Sequence, residues 1–203
     1  MRKIITTTFV TLDGVMQAPG GPEEDRAGGF THGGWMVNYR DEIMSSVMDT
    51  WMGLPFELLL GKRTYDIFAA YWPHDKQAPN IAKPFNSTRK YVVSHKSAEL
   101  SWQNSKLITG DDVVAQIKKL KEEDGPDLWV YGSGNLIQTL LKHHLIERMH
   151  LWIYPITLGS GKRLFAEGTQ VEKFELTDSK VSTTGVIIAT YEPAGALKTG
   201  SFS

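Results

Sequence analysis

Asp127-Leu-Trp-Val-Tyr-Gly-Ser-Gly-Asn-Leu-Ile-Gln-Thr-Leu-Leu-Lys142 is the stretch on which the reading of this chain turns. Leu128-Trp129-Val130-Tyr131 is a short apolar run of the kind that forms a buried strand. Leu136, Ile137, Leu140 and Leu141 follow at helical spacing, which predicts a helix from about Ser133. Between them stand Gly132, Ser133, Gly134 and Asn135. A strand that feeds a helix through glycines leaves free N–H groups at the positive end of the helix dipole, where a phosphate or pyrophosphate can bind. Glycine also lets such a ligand come close to the main chain. The competing reading is an ordinary tight turn, because the full Gly-x-Gly-x-x-Gly fingerprint is absent: Ile137 stands where the third glycine would be.

Upstream, alternating strands and helices are expected. Lys3–Thr11 reads as a first, central strand ending at Leu12-Asp13-Gly14. A long irregular segment runs on to Gly34, with Pro19-Gly20-Gly21-Pro22, three acidic residues (Glu23, Glu24, Asp25) and Gly28-Gly29. A loop of more than about 15 residues inside a domain is more often functional than idle, the alternative being a surface insertion. Tyr39, Ile43, Met44, Val47, Met48, Trp51 and Met52 mark the buried face of a helix, with Asp41, Glu42 and Asp49 on its solvated side. Phe56–Leu60 is a second strand, closed by Gly61-Lys62-Arg63-Thr64, and a short helix begins at Tyr65. Residues 74–89 read mostly as loop. Lys90–Val93 is the third strand, ending at Ser94-His95-Lys96, and Lys106–Thr109 a fourth. Asp111 is placed to cap a helix carrying Val113, Val114, Ile117 and Leu120.

Downstream of Lys142, residues 148–157 alternate with period two. Leu158–Phe165 is a glycine turn, and 174–182 with 186–191 form an antiparallel pair. The pattern predicts an α/β fold, a mainly parallel sheet with helices on both faces and an antiparallel edge. One domain over residues 1–193 and a fraying tail over 194–203 are expected.

Composition narrows the function. The chain has 203 residues, 41% of them hydrophobic, and a net charge of −1. That charge gives no electrostatic case for nucleic acid or an anionic membrane. No cysteine is present, which removes disulfides, thiolate catalysis and zinc–thiolate sites. The six histidines show no metal-ligand spacing, so no metal is expected. No stretch approaches about 20 apolar residues and no signal peptide is evident, so a cytoplasmic protein is the default.

In open α/β sheets ligands bind outside the carboxyl ends of the strands. Here those ends carry Asp13, Lys62-Arg63-Thr64, Ser94-His95-Lys96 and Gly132–Asn135. Two glycine-led helix starts and several cations suit a dinucleotide with an extra phosphate. In order and spacing, Thr-Leu-Asp-Gly, Leu-Gly-Lys-Arg-Thr-Tyr-Asp, Val-Val-Ser and Tyr-Gly-Ser-Gly-Asn-Leu resemble the dihydrofolate reductase-like superfamily. Together with Leu-Ile-Glu-Arg-Met-His-Leu-Trp-Ile-Tyr-Pro-Ile-Thr-Leu-Gly-Ser-Gly-Lys-Arg-Leu-Phe they are most similar to the reductase domain of bifunctional riboflavin biosynthesis proteins and its small stand-alone bacterial relatives. The resemblance spans roughly residues 2–192. It implies a three-layer α/β/α fold and an NADPH-dependent reductase, often dimeric, acting on a small heterocyclic or sugar-derived substrate, like 5-amino-6-(5-phosphoribosylamino)uracil reductase.

By position in that resemblance, Lys62, Arg63 and Thr64 would line the cofactor, with Thr64 at the pyrophosphate. Ser94, His95 and Lys96 would face the 2′-phosphate. Gly132, Ser133, Gly134, Asn135 and Leu136 would hold the pyrophosphate and the nicotinamide side, and Asp13 would border nicotinamide and substrate as the catalytic candidate. Arg40, Lys162 and Arg163 are candidates for a ribose phosphate. Dihydrofolate reductases place a buried carboxylate on the helix after the first loop. The corresponding position here falls near Ser45, which speaks against folate reduction. A true dihydrofolate reductase and a nucleotide-binding protein without turnover are the alternatives.

Overall fold

Strand propensity and burial on both faces put the strand made of Ile-Ile-Thr-Thr-Thr-Phe-Val-Thr at the middle of the molecule. The computed structural model describes residues 1–202. Its strands are β1 (Ile4–Thr11), β2 (Phe56–Gly61), β3 (Lys90–Val93), β4 (Ser105–Ile108), β5 (Asp127–Tyr131), β6 (Arg148–Tyr154), β7 (Phe174–Val181) and β8 (Ile187–Pro193). They form one sheet in the order β4-β3-β2-β5-β1-β6-β8-β7. The first six are mutually parallel, and β8 and β7 add an antiparallel edge. The expected α/β fold is therefore present, with its antiparallel strands at one edge.

The helices are α1 (Glu42–Met52), α2 (Lys62–Tyr71), α3 (Pro79–Ser87), α4 (Val113–Glu122) and α5 (Gly134–Lys142). Two apolar layers result. On one face, Met52, Tyr65 and Phe85 from α1, α2 and α3 pack with Leu58, Leu60, Trp129 and Tyr131. On the other, Ile117 and Leu120 of α4 and Leu136, Ile137, Leu140 and Leu141 of α5 cover Ile4, Leu59, Leu128 and Val130. Successive strand residues point to opposite faces, so Leu58-Leu59-Leu60 feeds both layers.

Two expectations need correction. Residues 74–89, read as loop, contain α3. Pro79 stands in its first turn, where a missing N–H costs nothing, and Ala82 and Phe85 supply its buried face. The cap of α4 is Asp112, whose carboxylate accepts from Ala115 N at 2.8 Å, and not Asp111.

Asp41 is more than a solvated residue. It caps α1 by accepting from Met44 N at 2.8 Å, and its other oxygen takes Thr183 N and Thr183 Oγ1 from the β7–β8 turn. No helix among the described residues is long and apolar enough to cross a membrane.

Candidate nucleotide site

The order of the sheet sets the carboxyl ends of β2, β5 and β1 side by side. Two helices start there: α2 directly after Gly61 and α5 directly after Ser133. Ser133 joins them. Its hydroxyl accepts from Gly61 N at 2.9 Å and donates to Thr64 Oγ1 at 2.9 Å. A Cβ on Gly61 would stand 3.2 Å from that hydroxyl, so glycine is what lets the two strand ends approach. Ser133 itself has φ +66°, in the left-handed region that non-glycine residues rarely occupy. Such strain persists where the surroundings fix it, as the two Ser133 bonds do here.

Neither α2 nor α5 has a side-chain cap, whereas α1 and α4 are capped by Asp41 and Asp112. Two uncapped helix starts held together by one serine place several free N–H groups and two positive dipole ends in one notch. This is an arrangement for a pyrophosphate.

β2 and β3 are neighbours, with Gly61 opposite Val93, so Lys62 and Ser94 leave adjacent strand ends. Ser94 N donates to Ile108 O, and its Oγ accepts from Lys96 N at 3.3 Å. The cations at these ends have partners. Lys62 pairs with Asp66 at 2.6 Å in a surface contact one helical turn away. Arg63 pairs with Asp25, which also takes Lys162 at 2.6 Å. The sequence reading found the cations but missed their counter-ion. Asp25 lies 38 residues before Arg63, and its only sequence signal was an acidic run in an unusually long loop.

Asp13 stands two residues past the end of β1 and is saturated with donors. It accepts from Thr11 Oγ1 at 2.5 Å, Leu158 N at 3.2 Å and Gly159 N at 2.8 Å. Arg163 donates to its carbonyl at 2.7 Å. The Thr11 hydroxyl foremost, and then the two amides, hold its carboxyl below the usual range against the effect of desolvation. Asp13 thus ties the end of β1 to the glycine turn after β6.

The long loop crosses the same end of the sheet. Met16 lies against the glycine turn: a Cβ on Gly134 would stand 3.2 Å from its sulfur, and one on Gly132 3.9 Å from its methyl. Gln17 is buried and donates through Nε2 to the carbonyls of Asp25 and Ala27, while its Oε1 accepts from Lys162 N at 3.0 Å. Trp35 Nε1 donates to Gln17 O at 2.8 Å. The inner face of α1 offers Met44, Val47 and Met52, and the Ser45 hydroxyl bonds back to Asp41 O at 2.9 Å. Asp49 is on the outside, where it accepts from Asn80.

Two surface hollows lie elsewhere. One, of about 590 Å³, runs along Arg40, Ser45 and Asp49 on the outside of α1. The other, of about 370 Å³, is walled by Trp51, His150 and Thr190. Neither contains a glycine turn or the carboxyl end of a parallel strand, so neither displaces the notch as the candidate. Among the described residues no group of three or more His, Cys, Asp or Glu could hold a metal.

The chain is similar to known proteins over nearly its whole length. The family model described as RibD C-terminal domain matches residues 2–188. An uncharacterized protein of Bacillus subtilis (strain 168), YyaP, is 28% identical over 197 residues, covering 94% of each chain. Among solved structures, a candidate riboflavin biosynthesis protein from Shewanella sp. PV-4 is similar with a TM-score of 0.64 and 22% identity, over 96% of this chain and 100% of that one. Dihydrofolate reductase from Enterococcus faecalis, complexed with NADP(H) and RAB-propyl, is similar with a TM-score of 0.59 and 12% identity, over 95% and 97%.

Proposed function

The chain belongs to the RibD C-terminal domain family, and from that premise we propose that it is an NADPH-dependent reductase of a small heterocyclic or sugar-derived substrate. The observation that carries the proposal is the pair of uncapped helix starts, α2 and α5, bridged by Ser133. In this reading the amides of Gly134, Asn135 and Leu136 and of Lys62, Arg63 and Thr64 receive the pyrophosphate. Ser94, His95 and Lys96, with Lys62, receive the 2′-phosphate. The Lys62–Asp66 pair does not oppose this. An exposed pair one helical turn apart is worth well under 1 kcal/mol, less than a charge-assisted bond to phosphate, roughly 1.5–3 kcal/mol.

The nicotinamide supplies the hydride, and the chain supplies position and polarity. Gly132 and Gly134 give the dinucleotide a close approach to the backbone. Asp13 holds the turn at Leu158 and Gly159 beside the reacting end and acts as a positioning residue, since its oxygens already accept three hydrogen bonds. Folate reduction is the weaker reading, because the inward face of α1 is apolar where a carboxylate would be needed. A homodimer is part of the proposal. β7 is an edge strand exposed along almost its whole length, and it presents Leu176 and Val181.

The test is NADPH oxidation, followed at 340 nm, with pyrimidine ribosylamine, pteridine and folate substrates in parallel. Turnover with the first class and none with folate is expected. Turnover with folate alone would replace this reading with dihydrofolate reduction, and tight NADPH binding without any turnover would favour a binding protein.

A further inference from the structure

Asp25 is a buried carboxylate inside a cage of donors. Its Oδ1 accepts from Arg63 Nη2 and from Ala27 N at 3.0 Å, and its Oδ2 from Arg63 Nε at 3.1 Å and Lys162 Nζ at 2.6 Å. The Asp25 side chain is 8% exposed, while those of Arg63 and Lys162 are 59% and 49% exposed. A guanidinium fork, an ammonium and a backbone amide around one anion form the donor set that also suits a phosphate. Burial disfavours the charge on Asp25, but the bonds from Arg63 and then Lys162 prevail and hold the carboxyl well below its ordinary range.

The place of this cage gives it a consequence. Arg63 belongs to the first turn of α2, one residue from the Thr64–Ser133 bridge. The segment that carries Asp25 also carries Met16, which rests on the Gly132–Gly134 turn. One loop therefore covers the glycine turn with a thioether and occupies the adjacent cation with a carboxylate. Paired glycines at 20–21, 28–29 and 33–34 give that loop places to bend.

We propose that Asp25 is an internal anion that competes with a ligand phosphate for Arg63 and Lys162, so that the loop must unlatch before the pyrophosphate can bind. The inference rests on the dinucleotide reading above and adds to it a residue that sets affinity. A binding-competent state populated one part in ten lowers apparent affinity about tenfold. Removing the internal charge leaves two cations open to the ligand.

The experiment is calorimetric titration of wild type and Asp25→Asn with NADPH and, separately, with inorganic pyrophosphate at low salt, alongside thermal melts. Asparagine keeps the shape and the Ala27 contact but not the charge. Asp25→Asn is expected to bind both ligands at least about tenfold more tightly while melting at a lower temperature. A folded Asp25→Asn protein that binds neither ligand more tightly overturns the proposal. Tighter pyrophosphate binding with no NADPH binding in either protein would leave the latch standing and remove the nicotinamide reading. Should Asp25→Asn fail to fold, wild type labelled with ¹⁵N-arginine decides. The Arg63 Nε–H signal, identified by its loss in Arg63→Lys, is expected to move on saturation with pyrophosphate. A signal that stays in place overturns the latch.

Discussion

Two residues show how surroundings convert into measurable chemistry, one through burial and one through hydrogen bonds. His150 is stacked on Trp51, with ring centroids 4.1 Å apart, and its Nδ1 is 3.0 Å from Thr190 Oγ1. Burial, with Arg148 nearby, lowers its pKa from 6.5 to about 4. The unfolded chain therefore binds a proton that the folded one refuses between those values. Stability is full above pH 6.5 and falls as pH drops towards 4. At 1.36 kcal/mol per unit the loss is on the order of 3 kcal/mol. Denaturant melts of wild type and His150→Gln across that range should show the slope in the first and lose most of it in the second. Asp13 is the other case. Asp13→Asn removes the charge that its amide and hydroxyl donors address, so stability should fall by roughly 1–2 kcal/mol. If it only positions the turn, turnover should keep the wild-type pH profile. A profile that loses one limb in Asp13→Asn would instead make it a proton carrier.

Among the elements, α2 and α5 carry the site, and Ser133 is the piece that joins them. Ser133→Ala keeps the backbone but deletes bonds to Gly61 N and Thr64 Oγ1. A melt should show a loss of about 1–2 kcal/mol, and NADPH affinity should fall with it as the two helix starts lose their register. Unchanged affinity in a folded Ser133→Ala protein would mean that the notch does not depend on the bridge. The strand–glycine–helix pattern at 127–142 and the run Gly61–Thr64 were readable because period and punctuation are local properties. α3 was not, since two prolines and a polar composition mask a helix whose buried face is only Ala82 and Phe85. The Asp25 cage was not either, because nothing local to Glu23-Glu24-Asp25 distinguishes the carboxylate that will fold under a distant arginine from the two that will not.

At the scale of the molecule, the sheet ends in β4 on one side and in β7 on the other. β7 lies beyond β8 with Leu176 55% and Val181 62% exposed, and Ile187 beside it on β8 is 40% exposed. An exposed edge strand with apolar side chains is a place where a second copy can add. Sedimentation velocity should give a dimer, and Val181→Lys should shift it towards monomer without altering the melt of the monomer; a monomeric wild type at tens of micromolar would remove the dimer from the proposal.

The central claim is that the notch at the ends of β2, β3 and β5 holds a dinucleotide with a 2′-phosphate. One charge-assisted bond to that phosphate is worth roughly 1.5–3 kcal/mol, and every 1.4 kcal/mol is about tenfold in affinity. The most direct measurement is a titration of the wild-type protein with NADPH and with NADH at low salt, repeated on Gly134→Val. The account predicts that NADPH binds at least about tenfold more tightly than NADH, and that Gly134→Val stays folded while losing at least about tenfold for both. Equal affinity for the two cofactors, or a folded Gly134→Val protein that binds NADPH as wild type does, would contradict it.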